Sequence, residues 1–175
     1  GGVVGIKSKF SFTTDGNSVT VGNITVPRFH ASGQSSPYKG YISGGTNLTD
    51  IIEEFSFASN VDTFDVADLA IGREYLAEHS SNTYGYVSGG YSPSRNTIEK
   101  YSFASDGNAS DIADLTQARQ DIAGNSSETH GYVSGGNAGG SYVNTIDKFT
   151  FAVDADATDV GDLSGTRSSQ AGQSS

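Results

Sequence analysis

The sequence predicts an all-β fold assembled from four-stranded antiparallel blades, and three observations predict it. One six-residue phrase, "GYVSGG", stands at 85–90 and again at 131–136, with "GYISGG" at 40–45. Short segments that alternate apolar and polar residues recur between these phrases, as in a sheet with one buried face. The composition pairs 23 Gly with only 3 Pro and much Ser, Thr, Asn and Asp, which suits short strands and tight turns better than helices.

Each element has its own justification. After the di-glycines Gly44-Gly45, Gly89-Gly90 and Gly135-Gly136, and after Gly1-Gly2 in the same phase, comes a variable polar stretch. An alternating strand follows: "IKSKFSF" (6–12), "IIEEFSF" (51–57), "TIEKYSF" (97–103) and "TIDKFTF" (145–151). A polar turn ("TTDGN", "ASNVD", "ASDGN", "AVDAD") leads into a further strand, "VTVGNI", "FDVADL", "SDIADL" or "TDVGDL". Gly and Asn in these turns tolerate positive φ, as hairpins require. Four residues on stands Arg28, Arg73, Arg119 or Arg167, and then a Ser pair: Ser35-Ser36, Ser80-Ser81, Ser126-Ser127 or Ser174-Ser175. The segment between Arg and Ser pair is rich in Gly and Ala, as a strand crowded near a central axis must be. The "GYVS" phrase is the remaining strand. Four short strands in a repeat of about 45 residues is the arithmetic of a β-propeller blade. The blades are expected at 28–72, 73–118 and 119–166, with partial blades at 1–27 and 167–175. On this division the 175 residues are not a self-sufficient four-bladed ring. Further repeats of a parent chain, or other subunits, are expected to cover the open ends.

The aromatics Phe55, Phe57, Tyr101, Phe103, Phe149 and Phe151 are expected to pack between blades with Val66, Leu69, Ile112, Leu115, Val160 and Leu163, because both rings of each aromatic-x-aromatic triplet share one face.

The order apolar-Tyr-apolar-x-Gly-Gly, variable loop, "IEKYSF", turn, "DIADL" and then Arg resembles the kelch repeat over essentially the whole chain. The kelch family usually carries a Trp six residues before the Leu equivalent to Leu115; here Thr63, Ala109 and Ala157 stand in that column, and the chain has no Trp. The style of repeat ("GYVSGG", "IDKFTF", "DVGDL", Arg, Ser-Ser) is also similar to that of structural proteins of marine bacteriophages. These resemblances imply a non-catalytic structural or binding propeller, in a virion or extracellular appendage such as a fibre or decoration module. The alternative is a cellular, cytoplasmic kelch-type protein-interaction module.

Charge and composition narrow the chemistry. The formal net charge of −10 would repel a polyanion, which argues against nucleic acid as partner. No apolar run reaches the roughly 18 residues of a membrane span. Without Cys there is neither a disulfide, nor a thiolate metal site, nor the Tyr–Cys cross-link of galactose-oxidase-like enzymes. No Gly-x-Ser-x-Gly elbow occurs. His30, His79 and His130 fall in three different columns, and Asp154, Asp156, Asp159 and Asp162 lack the spacing of a calcium loop. No metal, cofactor or catalytic residue is therefore assigned. The Arg column reads either as guanidiniums facing a ligand or as fixed structural pairs with the acid five residues earlier, Asp68, Asp114 or Asp162 (Asn23 in the first copy); the structural reading is favoured. The variable loops carry the candidate ligand-binding residues Tyr91, Arg95, Asn137 and Tyr142, suited to a host-surface glycan or protein, against the plainer reading of exposed turn residues.

Overall fold

A computed structural model describes residues 5–169 and Gly172; the expected di-glycine Gly1-Gly2 and Ser pair Ser174-Ser175 lie outside the described residues. The chain is all-β. Strands β1 (Ile6–Lys9) and β2 (Val19–Asn23) form a two-stranded antiparallel sheet. Three four-stranded antiparallel sheets follow. The first holds β3 (Ser32–Ser35), β4 (Lys39–Ser43), β5 (Ile51–Ser56) and β6 (Phe64–Asp68); the second, β7 (Ala77–Ser80), β8 (Tyr84–Ser88), β9 (Thr97–Ser102) and β10 (Ser110–Asp114). The third holds β11 (Ala123–Ser126), β12 (His130–Ser134), β15 (Thr145–Thr150) and β16 (Thr158–Asp162), with a small hairpin of β13 (Asn137–Ala138) and β14 (Ser141–Tyr142) between its middle strands.

Strand β7 packs against both β3 and β11, and the three carry the small residues expected of a crowded position. A Cβ on Gly124 would stand 2.3 Å from the Glu78 carbonyl oxygen, so only glycine permits that approach. The Ser pairs serve two purposes here. The first Ser joins sheets: Ser80 Oγ accepts the Ser35 N–H and Ser126 Oγ accepts the Ser80 N–H, each at 3.0 Å. The second holds the following turn, with Ser36, Ser81 and Ser127 Oγ accepting N–H groups of Lys39, Tyr84 and His130.

The outer strands also meet backbone to backbone. Thr63, Ala109 and Ala157 donate their N–H groups to the carbonyls of Asn23, Asp68 and Asp114 in the preceding sheet, at 2.7 to 2.8 Å. All three side chains are buried, so this column holds small residues where two sheets touch. Every pairing of third with fourth strand carries a bulge at one repeat position, which leaves Val21, Val66, Ile112 or Val160 as the extra residue.

The core lies between sheets. Tyr101, Phe149, Leu69 and Leu115 are buried as expected, and the half-buried Phe103 and Phe151 stack on Tyr41 and Tyr86 of the preceding sheet, each at 4.6 Å. Three expectations need correction. Phe57 is 53% exposed and Val160 47% exposed, and Leu163 is only half-buried. Phe57 belongs to the face turned toward the two-stranded sheet, which has no "GYVS" tyrosine to lay on it. Val160 is on β16, against which no further described sheet packs.

Candidate functional site

The site is built from the connections that leave each di-glycine. Gly89 and Gly90 adopt φ of 60° and 102°, and a Cβ on Gly89 would lie 2.7 Å from the Arg119 carbonyl oxygen. The missing side chains let Gly90 N–H reach that same carbonyl at 3.0 Å. Gly45 and Gly136 make the equivalent bonds to Arg73 and Arg167. Each "GYVS" strand thus ends by binding the linker that enters the next sheet.

The arginines on these linkers form fixed pairs, but with different acids from those expected. Arg28 pairs with Glu53 (2.9 Å), Arg73 with Glu99, and Arg119 with Asp147 (2.8 Å). All six side chains are buried. Asp68, Asp114 and Asp162 end the outer strands instead, where the N–H groups of Asn23, Asp68 and Asp114 are bound by the turn side chains Asp62, Asn108 and Asp156 of the next unit. Five residues of sequence separation brings an Arg and an Asp together only if the chain doubles back. Here the linker runs on, and the guanidinium turns inward to the third strand of the sheet it enters.

Each buried carboxylate also accepts the N–H three residues before its arginine: Thr25 on Glu53 (2.7 Å), Ala70 on Glu99 (2.8 Å) and Thr116 on Asp147 (3.0 Å). The guanidiniums donate in turn to carbonyls at the strand ends, Ile42 for Arg28, Gly89 for Arg73, and Val133 with Thr145 for Arg119. One acid therefore fixes both the linker and the start of the loop. Burial pushes the Arg73 guanidinium down to about 10 and lowers Arg119 as well, yet both stay charged at neutral pH. Arg167 differs: it is exposed, bonding Gly165 O and Ser164 Oγ.

Two residues after each arginine stands a non-glycine in left-handed conformation: His30 (φ 58°), Tyr75 (58°), Asp121 (54°) and Ser169 (54°). Such residues are uncommon, and four at one repeat position mark a shared constraint. Their backbones run in a chain, Tyr75 N–H to His30 O (3.2 Å), Asp121 to Tyr75 (3.1 Å) and Ser169 to Asp121 (2.9 Å). Together with Ala31, Leu76 and Ile122 they line a cavity of about 310 Å³ where the sheets converge. The His30 ring stacks on Tyr75 at 3.9 Å, and its Nδ1 lies 3.5 Å from Glu74 Oε2.

The variable loops pair with the residue that precedes each of His30, Tyr75 and Asp121. Thr46 N–H donates to Phe29 O, Tyr91 and Glu74 exchange two backbone bonds of 2.8 Å, and Asn137 and Gln120 do the same at 2.8 and 3.0 Å. Ser94 Oγ also bonds Gln120, so the loops of the second and third sheets meet there. Among the candidate ligand residues, Tyr91 and Tyr142 are exposed. Arg95 is half-buried with Nη2 on the Ser92 carbonyl, and Asn137 Oδ1 holds the Gly140 N–H at 2.8 Å, so both side chains shape their own loops. Sequence reasoning missed His30, Glu74, Tyr75 and Asp121. Their signal is a variable position between two constant ones, the arginine and the Ser pair.

A second cavity, of about 460 Å³, opens among the Ser pairs and is lined also by Gly33, Glu78, His79, Gly124, Glu128 and Gly172. Glu78 occupies a column that is otherwise glycine, and burial pushes its carboxyl up. His79 is 1% exposed and burial lowers it to about 4. Its Nδ1 lies 3.1 Å from the Asn125 carbonyl, which can only accept, so Nδ1 carries the proton and Nε2 accepts from Ser88 Oγ at 2.8 Å.

The four aspartates near the third turn disperse. Asp154 pairs with Lys100 at 2.5 Å, Asp156 holds the Asp114 N–H and Asp159 the Gly161 N–H. Among the described residues no three metal-capable side chains converge, and no helix is long and apolar enough to cross a membrane. No model of a known protein family matches the chain, and no curated protein matches it.

Proposed function

We propose that the chain is a kelch-like propeller segment that works as a non-catalytic binding scaffold, contacting a host-surface glycan or protein from a virion or extracellular appendage. One observation carries the reading: buried arginine–carboxylate pairs hold the frame, while one position that changes from copy to copy, His30, Tyr75, Asp121 or Ser169, lines a single cavity. Variable loops on a rigid support are how such frames present recognition surfaces. Stacked His30 and Tyr75 offer an aromatic face, and Glu74 and Asp121 offer acceptors, which suits the mixed apolar and hydroxyl surface of a sugar. The bacteriophage setting rests on the style of the repeat alone.

The test is binding of the labelled protein to glycan arrays and to bacterial envelopes. Saturable binding is expected, weakened roughly tenfold by Tyr75→Ala and again by Tyr91→Ala, about what loss of an aromatic contact costs. Binding unchanged in the double variant would place recognition elsewhere. Capture of an intracellular protein with no binding to either surface would favour the cellular interaction module.

A further inference from the structure

The two-stranded sheet has two strands fewer than the others among the described residues, and the chemistry of the strand that would lie beside β1 can be read from its three counterparts. In the complete sheets the "GYVS" strand lies beside the third strand in constant register: Gly40 opposite Phe55, Gly85 opposite Tyr101 and Gly131 opposite Phe149. The aromatic ring folds over the glycine so closely that a Cβ there would stand 2.3 to 2.4 Å from the ring. The next residue, Tyr41 or Tyr86, points to the opposite face and stacks on Phe103 or Phe151 of the following sheet.

Among the described residues β1 pairs only with β2, so its other edge presents unpaired backbone groups. Two exposed rings follow. Phe10, in the column of Tyr101 and Phe149, is 63% exposed where those are 3% and 2%. Phe57, in the column of Phe103 and Phe151, has Phe55 as its ring neighbour and no tyrosine of a preceding sheet on it. A single strand accounts for both.

We propose that the open edge of β1 binds an extended segment of the type Gly-Tyr-(Val/Ile)-Ser, antiparallel, with its glycine under Phe10 and its tyrosine on Phe57. The tyrosine would then stand opposite Lys9, as Tyr86 stands opposite Lys100 and Tyr132 opposite Lys148. Main-chain bonds to β1 give affinity, and the glycine and tyrosine give specificity, as in other strand-addition complexes. The donor is a segment of this repeat type that is not already part of a sheet. A folded second copy has none to lend, because β4, β8 and β12 each lie between two neighbours. The inference is independent of what the loops bind.

The experiment is fluorescence anisotropy of a labelled peptide with the sequence of residues 82–90, Asn-Thr-Tyr-Gly-Tyr-Val-Ser-Gly-Gly, titrated with the 175-residue chain. Saturable one-to-one binding is expected. Peptides carrying the equivalent of Gly85→Val or Tyr86→Ser should each bind at least roughly tenfold more weakly, the first by clash with Phe10 and the second by loss of the ring contact. These changes lie in the peptide, so folding of the protein is untouched. No saturable binding, or equal binding of the Gly85→Val peptide, would overturn the proposal. A dimer in sedimentation that the peptide leaves intact would assign the edge to a second copy and overturn it equally.

Discussion

Replacing Arg119 and Arg167 one at a time by alanine should give opposite results, although the two occupy the same column of the repeat. The wild-type contacts set the size of each effect. Arg119 is fully buried, and its removal leaves the Asp147 carboxylate, also fully buried, without a counter-charge; the Val133 and Thr145 carbonyls each lose a donor. Breaking a buried pair from one side costs about 3–5 kcal/mol, and the carbonyls keep other partners, so about 4 kcal/mol is expected for Arg119→Ala. That is a large fraction of the roughly 5–15 kcal/mol that stabilises a domain. The Arg167 side chain is exposed and, among the described residues, bonds only Gly165 and Ser164, so Arg167→Ala, which leaves its backbone bonds in place, should fall within about 0.5 kcal/mol of wild type. The assay is urea denaturation followed by far-ultraviolet circular dichroism, with midpoints compared at equal slope. In the double variant Arg119→Met with Asp147→Leu, both charges are gone, so much of the loss should return. A cost below about 1 kcal/mol for Arg119→Ala, or equal costs at the two arginines, would refute the claim that the carboxylate on the third strand anchors the linker.

Two further outcomes are expected. His79 titrates at about 4 in the fold and 6.5 in the unfolded chain, so the unfolded state binds more protons between those values, and the stability that neutral His79 contributes is full above pH 6.5 and lost as pH falls to about 4. The shift amounts to about 3 kcal/mol. Because Glu78 is pushed the opposite way, the measurement is the pH profile of wild type minus that of His79→Gln, a side chain already present in this column as Gln34; a flat difference would refute it. Gly89→Ala and Gly139→Ala share φ of 60°, but only the first would crowd its neighbours, with Ile122 Cδ1 at 2.5 Å. The first should cost about 3 kcal/mol and the second about 1 kcal/mol in the same denaturation assay, and equal costs would show that backbone conformation alone sets the requirement.

The sequence by itself determined the all-β class, the strand positions, the turns and the columns of constant residues. Those features depend on period, on turn chemistry and on repetition, and all three are local. It marked the arginines as structural because they recur in every copy, yet it misassigned their partners. Glu53, Glu99 and Asp147 look in sequence like the polar positions of strands with one wet face, and only the stacking of sheets makes that face dry. Tertiary structure decided the rest for the same reason. Phe57 and Phe103 share a column, but one has a tyrosine of the preceding sheet upon it and the other does not. His30, Tyr75 and Asp121 are about 45 residues apart in the chain and meet at one cavity because the innermost strands converge. A residue's burial depends on what the neighbouring unit places against it, and a repeat read one copy at a time does not contain its neighbour.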